Sequence, residues 1–118
     1  MTPLEKAIDQ GKVDDVKALC ENSDEFNDET LMRAIYCMED AYEKEDVLRL
    51  GERNDIIHCL LRHNAKLNMS HYYNHSSRPW YYCVTKYIRE GLKDKYSAIT
   101  HYYRDILSLM SGSSSIHE

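Results

Sequence analysis

The sequence predicts an all-α protein of stacked helix-turn-helix pairs, and three observations carry that prediction. Apolar residues recur at the i, i+3, i+4 spacing that puts one stripe on one helix face, as in Leu4, Ala7 and Ile8. Helix-start chemistry precedes such stripes, at Thr2-Pro3-Leu4-Glu5 and again at Arg78-Pro79-Trp80. The pattern also repeats. Leu19, Leu60 and Tyr102 lie 41 and 42 residues apart, and Val16, Ile57 and Ile99 keep the same intervals. A short helix pair cannot bury its stripe alone, so copies at a near-constant period imply neighbours that supply the missing wall.

The first pair opens almost at residue 1. The Thr2 hydroxyl accepts from an early backbone N–H, Pro3 tolerates the first helical position because its missing donor is not needed there, and Glu5 completes a capping box. Gly11 stands where a left-handed residue ends such a helix. A second helix then carries Val13, Val16, Leu19 and Cys20 on one face, with Asp14 and Asp15 at its positive end. In the second pair, Leu31, Ala34, Ile35, Met38 and Tyr42 continue a stripe that predicts an elongated first helix running to about residue 48. Ile56, Ile57, Leu60 and Leu61 mark its second helix. The third pair has Trp80, Val84, Tyr87 and Ile88 on an elongated first helix, Gly91 as its predicted stop, and Ile99 with Tyr102-Tyr103 on the second. Arg104 to Met110 prolongs that last helix with an apolar face, which either caps the stack or, through Ile106, Leu107 and Met110, offers an edge for self-association.

The opening stretch resembles an ankyrin repeat. That family's pattern begins T-P-L-H-x-A and passes a Gly between its two helices, and here Thr2, Pro3, Leu4, Ala7, Gly11, Val16 and Leu19 match it. Ile56 to Asn68 reproduces the second helix and terminal turn, with Asn64-Ala65 in place of Gly-Ala, and the third copy matches more weakly. The family's period is about 33, so these copies are enlarged, and the extra length lies between the paired helices. The resemblance implies one ankyrin-like domain over residues 1–110, with repeats at 2–27, 28–68 and 78–110, and a non-catalytic role in protein binding. Residues 111–118 are low in hydrophobicity and are expected to be disordered.

Composition narrows the function. No apolar run approaches the roughly 20 residues of a membrane span, and no signal peptide opens the chain, so an intracellular, cytoplasmic or nuclear, soluble protein is expected. Cysteines 20, 37, 59 and 83 form no CxxC pair and read as reduced, packed thiols. Charge is asymmetric: residues 1–59 hold 16 acidic and 7 basic side chains, residues 60–118 hold 4 and 8. Such halves either reflect ordinary solvated faces or present two different partner surfaces.

Residues that might carry chemistry point away from catalysis. His71 with His75, and Cys59 with His63, have the spacing that lets two side chains approach one metal ion, but zinc needs all four to converge and packing accounts for Cys59. No metal and no cofactor is expected. The sequence contains no glycine-rich phosphate loop and no nucleophile motif, so an enzyme is not expected. Lys86, Arg89, Lys93, Lys95 and Arg104 interleave with tyrosines, a composition suited to phosphates and unpaired bases, which makes nucleic-acid binding the alternative function. Binding of another protein, as an adaptor or inhibitor, needs fewer assumptions. His71, Tyr72, Tyr73 and His75 have no core periodicity and lie in a finger between the second and third copies, and tyrosine gives large contact area at small entropic cost. Tyr81 joins them as a candidate. The ankyrin resemblance, in which fingers and first helices line the concave face, adds Glu39, Asp40 and Glu43.

Overall fold

The computed structural model describes residues 1–21, 27–66 and 78–111. Their order is α1 (Pro3–Gln10), α2 (Val13–Glu21), α3 (Asp28–Glu43), α4 (Val47–Lys66), α5 (Arg78–Asp94) and α6 (Ala98–Met110), with no strand among the described residues. The chain divides into two compact units, Met1–Asn64 and Ala65–Glu118.

In the unit Met1–Asn64, α1 starts as its residues dictate. The Glu5 backbone N–H donates to Thr2 Oγ1 and the Thr2 N–H to Glu5 Oε1, both at 3.1 Å, closing the capping box with Pro3 at the first turn. Gly11 ends the helix in the left-handed region at φ 73°. Its N–H donates to the Ile8 carbonyl and that of Lys12 to the Ala7 carbonyl, the paired closure that uses two carbonyls a helix end leaves open. Leu4, Ala7 and Ile8 are buried, and α1 packs on both α2 and α3.

The extra length of the second pair is helical on both sides of the turn. α3 is elongated, 16 residues against 8 in α1, but stops at Glu43 rather than near residue 48. Lys44, Glu45 and Asp46 turn the chain, with Glu45 at φ 57°, and the Asp46 carboxylate accepts from the Arg49 N–H at 3.1 Å to start α4. An apolar stripe reports which residues face inward, not where a three-residue turn interrupts it, which is why the boundary was missed. α3 also begins at Asn27, whose side chain and that of Thr30 form a second capping box. The backbone stays helical through Lys66, where the repeat pattern predicts a turn from Asn64.

In the unit Ala65–Glu118, α5 and α6 pack as a helical hairpin joined by residues 95–97. Ser97 caps α6 by accepting from the Thr100 N–H, and the Thr100 hydroxyl donates to the Asp94 carbonyl at 2.9 Å, tying the two helix ends together. Gly91 does not stop α5. It takes no left-handed φ, and α5 runs through it to Asp94. Ile106 and Met110 are fully buried on α6, while Leu107 is half-buried.

Burial corrects the register by one position in the first and third pairs, while in the second Leu60 is fully buried as the spacing predicts. Val16, Ile57 and Ile99 are all buried, as the spacing predicts. Leu19 and Tyr102 are only half-buried, whereas their neighbours Cys20, Leu61 and Tyr103, at the same 41 and 42 residue intervals, are buried at 2%, 1% and 2% exposure. The inward face of each second helix is therefore the i, i+4 pair. On the first helices the matching small position, Ala7, Ala34 and Cys83, is buried in every copy.

Candidate functional site

The candidate site of the unit Met1–Asn64 is an open cavity of about 460 Å³ walled by α1, α3 and α4. α1 contributes Asp9; α3 contributes Glu29, Arg33, Tyr36, Cys37, Asp40 and Ala41 from successive turns; α4 contributes Arg49 and Arg53. The i, i+3, i+4 relation that buries Leu31, Ala34, Ile35 and Met38 on one side of α3 places Arg33, Tyr36, Cys37 and Asp40 on the other.

Its floor is held by Arg53. This guanidinium is 8% exposed and donates from Nη1 to the Ile8 carbonyl and from Nη2 to the Asp9 carbonyl, each at 2.8 Å. Those are carbonyls at the C-terminal end of α1, where the partial negative charge of the helix favours a cation and where buried acceptors are costly if unmet. A Cβ on Gly11 would overlap the Arg53 guanidinium, so the glycine both turns the chain and makes room for the arginine.

Above it, Arg33 bridges α3 to α1, with Nε 3.2 Å from Glu5 Oε2 and Nη1 3.0 Å from Asp9 Oδ2. The two Thr2 hydrogen bonds, backbone first, and then the Arg33 charge hold the Glu5 carboxyl below its ordinary value. Cys37 lies 3.8 Å from Asp9 Oδ1, and burial, with the Asp9 charge, pushes its thiol up against the opposing charge of Arg53. Arg49 is 3.6 Å from Asp46 and Asp40 is 3.0 Å from Lys44, both at the exposed rim. Tyr36 presents its ring there at 43% exposure. Three carboxylates and three guanidiniums share the wall, a mixed surface that suits polar side chains of both signs.

Of the residues the sequence singles out, Asp40 lines this cavity. Glu39 and Glu43 are one turn apart on α3 and do not line it, Glu39 being half-buried and Glu43 exposed. Tyr81 is 70% exposed on α5, in the other unit. His71, Tyr72, Tyr73 and His75 lie outside the described residues, as does the tail after Ser111. Arg33, Tyr36, Arg49 and Arg53 were missed. Arg53 had a signal: it falls three after Leu50 and four before Ile57, a cation in a core register.

On the unit Ala65–Glu118 the basic and aromatic groups pair within the chain. Lys86 lies over the Tyr82 ring at 5.5 Å and Lys95 over Tyr96 at 5.1 Å. Lys93 is 3.7 Å from Glu90 and Arg104 3.8 Å from Asp105. Tyr96 is 76% exposed in the turn between α5 and α6, where its N–H donates to Asp94 Oδ1. No helix of the described residues is long and apolar enough to cross a membrane, and these residues hold no group of three or more potential metal ligands.

Comparison of the chain with protein-family models, with curated proteins and with solved structures gave no match.

Proposed function

We propose that this chain is a non-catalytic protein-binding module, an adaptor or an inhibitor, organised on an ankyrin-like plan of three helix pairs. The observation that supports it best is the open cavity walled by α1, α3 and α4, where exposed Tyr36 stands beside Asp40, Arg33 and Arg49. A ring with a polar edge gives contact area and orientation together, and the surrounding charges select for side chains of opposite sign. The finger residues His71, Tyr72, Tyr73 and His75 are a second proposed contact, resting on composition, and Tyr81 a third, resting on its exposure.

Affinity capture with the full chain, its Tyr36→Ala/Asp40→Ala variant and its Tyr72→Ala/Tyr73→Ala variant tests this reading. Loss of a partner by the first variant supports the cavity, and loss by the second supports the finger. A partner retained by both, and by Tyr81→Ala, removes the proposed surfaces. The nucleic-acid alternative predicts binding of single strands that falls steeply with salt. Two of its tyrosine rings, Tyr82 and Tyr96, are already covered by lysines of the chain itself, which leaves Tyr81 the most exposed uncovered aromatic among the described residues of this half.

A further inference from the structure

Helix α5 of the unit Ala65–Glu118 is apolar on two sides. Its buried residues are Pro79 and Cys83. Tyr81 and Thr85 stand two places after them, about 200° around the axis, and begin a second row that continues through Ile88 and Leu92 at spacings of 4, 3 and 4 residues. Tyr81, Ile88 and Leu92 are 70%, 56% and 84% exposed. Packing of α5 into its own unit requires only the buried side, so the outer row is left unexplained by the fold. Thr85 belongs to that row without interrupting it. Its hydroxyl donates to the Tyr81 carbonyl at 2.9 Å, so the position can be covered by an apolar group without stranding a donor.

The two edges of the row differ. One residue after Thr85, Ile88 and Leu92 come Lys86, Arg89 and Lys93, which places all three cations along the same edge. Arg89 is exposed and makes no ion pair with another described residue. Lys93 reaches Glu90 only at 3.7 Å, with its side chain 67% exposed, and Lys86 lies over the Tyr82 ring. One residue before each member of the row stand Val84, Tyr87 and Gly91, half-buried and without charge.

We propose that the row Tyr81, Thr85, Ile88 and Leu92 docks one amphipathic helix of another protein, acidic along a single edge. The inference rests on the protein-binding reading and adds the chemistry of a partner, on a different helix from the cavity. A 4-3-4 row is the spacing that a second helix interlocks with, and carboxylates on its edge meet Arg89, Lys93 and Lys86, Arg89 being able to take one in a two-pronged bond. Because only one edge is basic, the charges also fix which way round the incoming helix lies. A second copy of α5 supplies no such counter-charge: laid antiparallel it sets cations against cations, and laid parallel it sets them against Val84, Tyr87 and Gly91. A lipid surface gains little from three exposed apolar side chains in single file, since its binding grows with the apolar area inserted.

The test titrates the full chain against a fluorescein-labelled synthetic peptide of about three heptads, with leucine at both seam positions and glutamate along one edge, read by anisotropy. A peptide with lysine for glutamate is the control. Saturable binding of the acidic peptide, at least about tenfold tighter than the lysine peptide, is expected. Ile88→Ala/Leu92→Ala should lose about tenfold with an unchanged thermal midpoint, and Arg89→Glu/Lys93→Glu should reverse the preference between the peptides. The proposal is overturned if the native chain shows no saturable binding at about 100 μM peptide, or holds both peptides equally. It is equally overturned if the chain takes up phosphatidylserine vesicles or a single-stranded oligonucleotide while leaving the peptide free, or forms a dimer that Ile88→Ala/Leu92→Ala dissolves. These readouts are independent of Tyr36 and Asp40, so failure on α5 and failure of partner capture at the cavity are told apart.

Discussion

The two units differ in how far their arginines reach, while the first also holds the local pairs Lys44–Asp40 and Arg49–Asp46. In the unit Met1–Asn64, Arg53 and Arg33 reach across helices distant in sequence, one to the carbonyls ending α1 and the other to Glu5 and Asp9. In the unit Ala65–Glu118, the cation contacts are local: Lys86 on Tyr82, Lys95 on Tyr96, Lys93 with Glu90, Arg104 with Asp105. Long-range pairing buries a charge and couples helices, whereas neighbouring pairs on a wet helix face contribute little beyond solubility. The glycines follow the same division. Gly11 is bound to its place by φ and by the Arg53 guanidinium, while a Cβ on Gly91 would meet Thr100 Cγ2 at 3.9 Å, an ordinary contact.

The largest break in this contrast is expected from the buried members of the first unit. Ile57→Ala removes a fully buried side chain and should cost about 2–5 kcal/mol in urea unfolding, whereas Leu92→Ala, on the exposed face of α5, should stay within about 0.5 kcal/mol. Arg53→Ala leaves the Ile8 and Asp9 carbonyls without their charged donor and opens the cavity floor. A loss of about 2–4 kcal/mol is expected, and an unchanged midpoint would show that the carbonyls find water instead.

Next in size is the glycine comparison. Gly11→Ala forces a side chain into a left-handed residue and against Arg53, for about 1–3 kcal/mol of destabilisation, while Gly91→Ala should be neutral or stabilise α5 by up to about 1 kcal/mol. Equal effects in thermal melts of the two variants would erase the distinction. Thr2→Ala, which removes the capping box, should cost about 1 kcal/mol.

The smallest effect is one of pH. Because the Glu5 carboxyl lies below its ordinary value when folded, the folded chain gives up that proton more readily than the unfolded chain. Its contribution is complete above the unfolded value of about 4.3 and is lost as pH falls through the folded one. Midpoints of wild type and Glu5→Gln measured from neutral to acid pH should therefore converge toward the acid end. Parallel curves would remove Glu5 from the account.

Local chemistry was legible wherever neighbours in sequence are partners in space. The capping box of Thr2 and Glu5, the stop at Gly11 and the buried faces of α1 and α3 follow from spacing alone, because a helix closes its own bonds within a turn. Gly91 misled for a physical reason: glycine permits a left-handed stop but does not require one, and here the helix continues to a Thr100 hydroxyl that meets the Asp94 carbonyl. The candidate site was less visible. Asp40 was reached through a resemblance, but the face of Arg33, Tyr36 and Arg49 reads as ordinary surface until α1 and α4 are set against it.

By itself, then, the sequence determined an all-helical chain, most of its inward-facing residues and the chemistry of its helix starts, since these depend on periodicity and on hydrogen bonds spanning three or four residues. Only the tertiary structure decided that Arg53 ends α1 from 45 residues away and that the wall of a cavity forms on α3. Each of those needs two helices brought together, and the buried apolar faces that bring them together constrain the distance between helices without naming which polar groups will meet beside them.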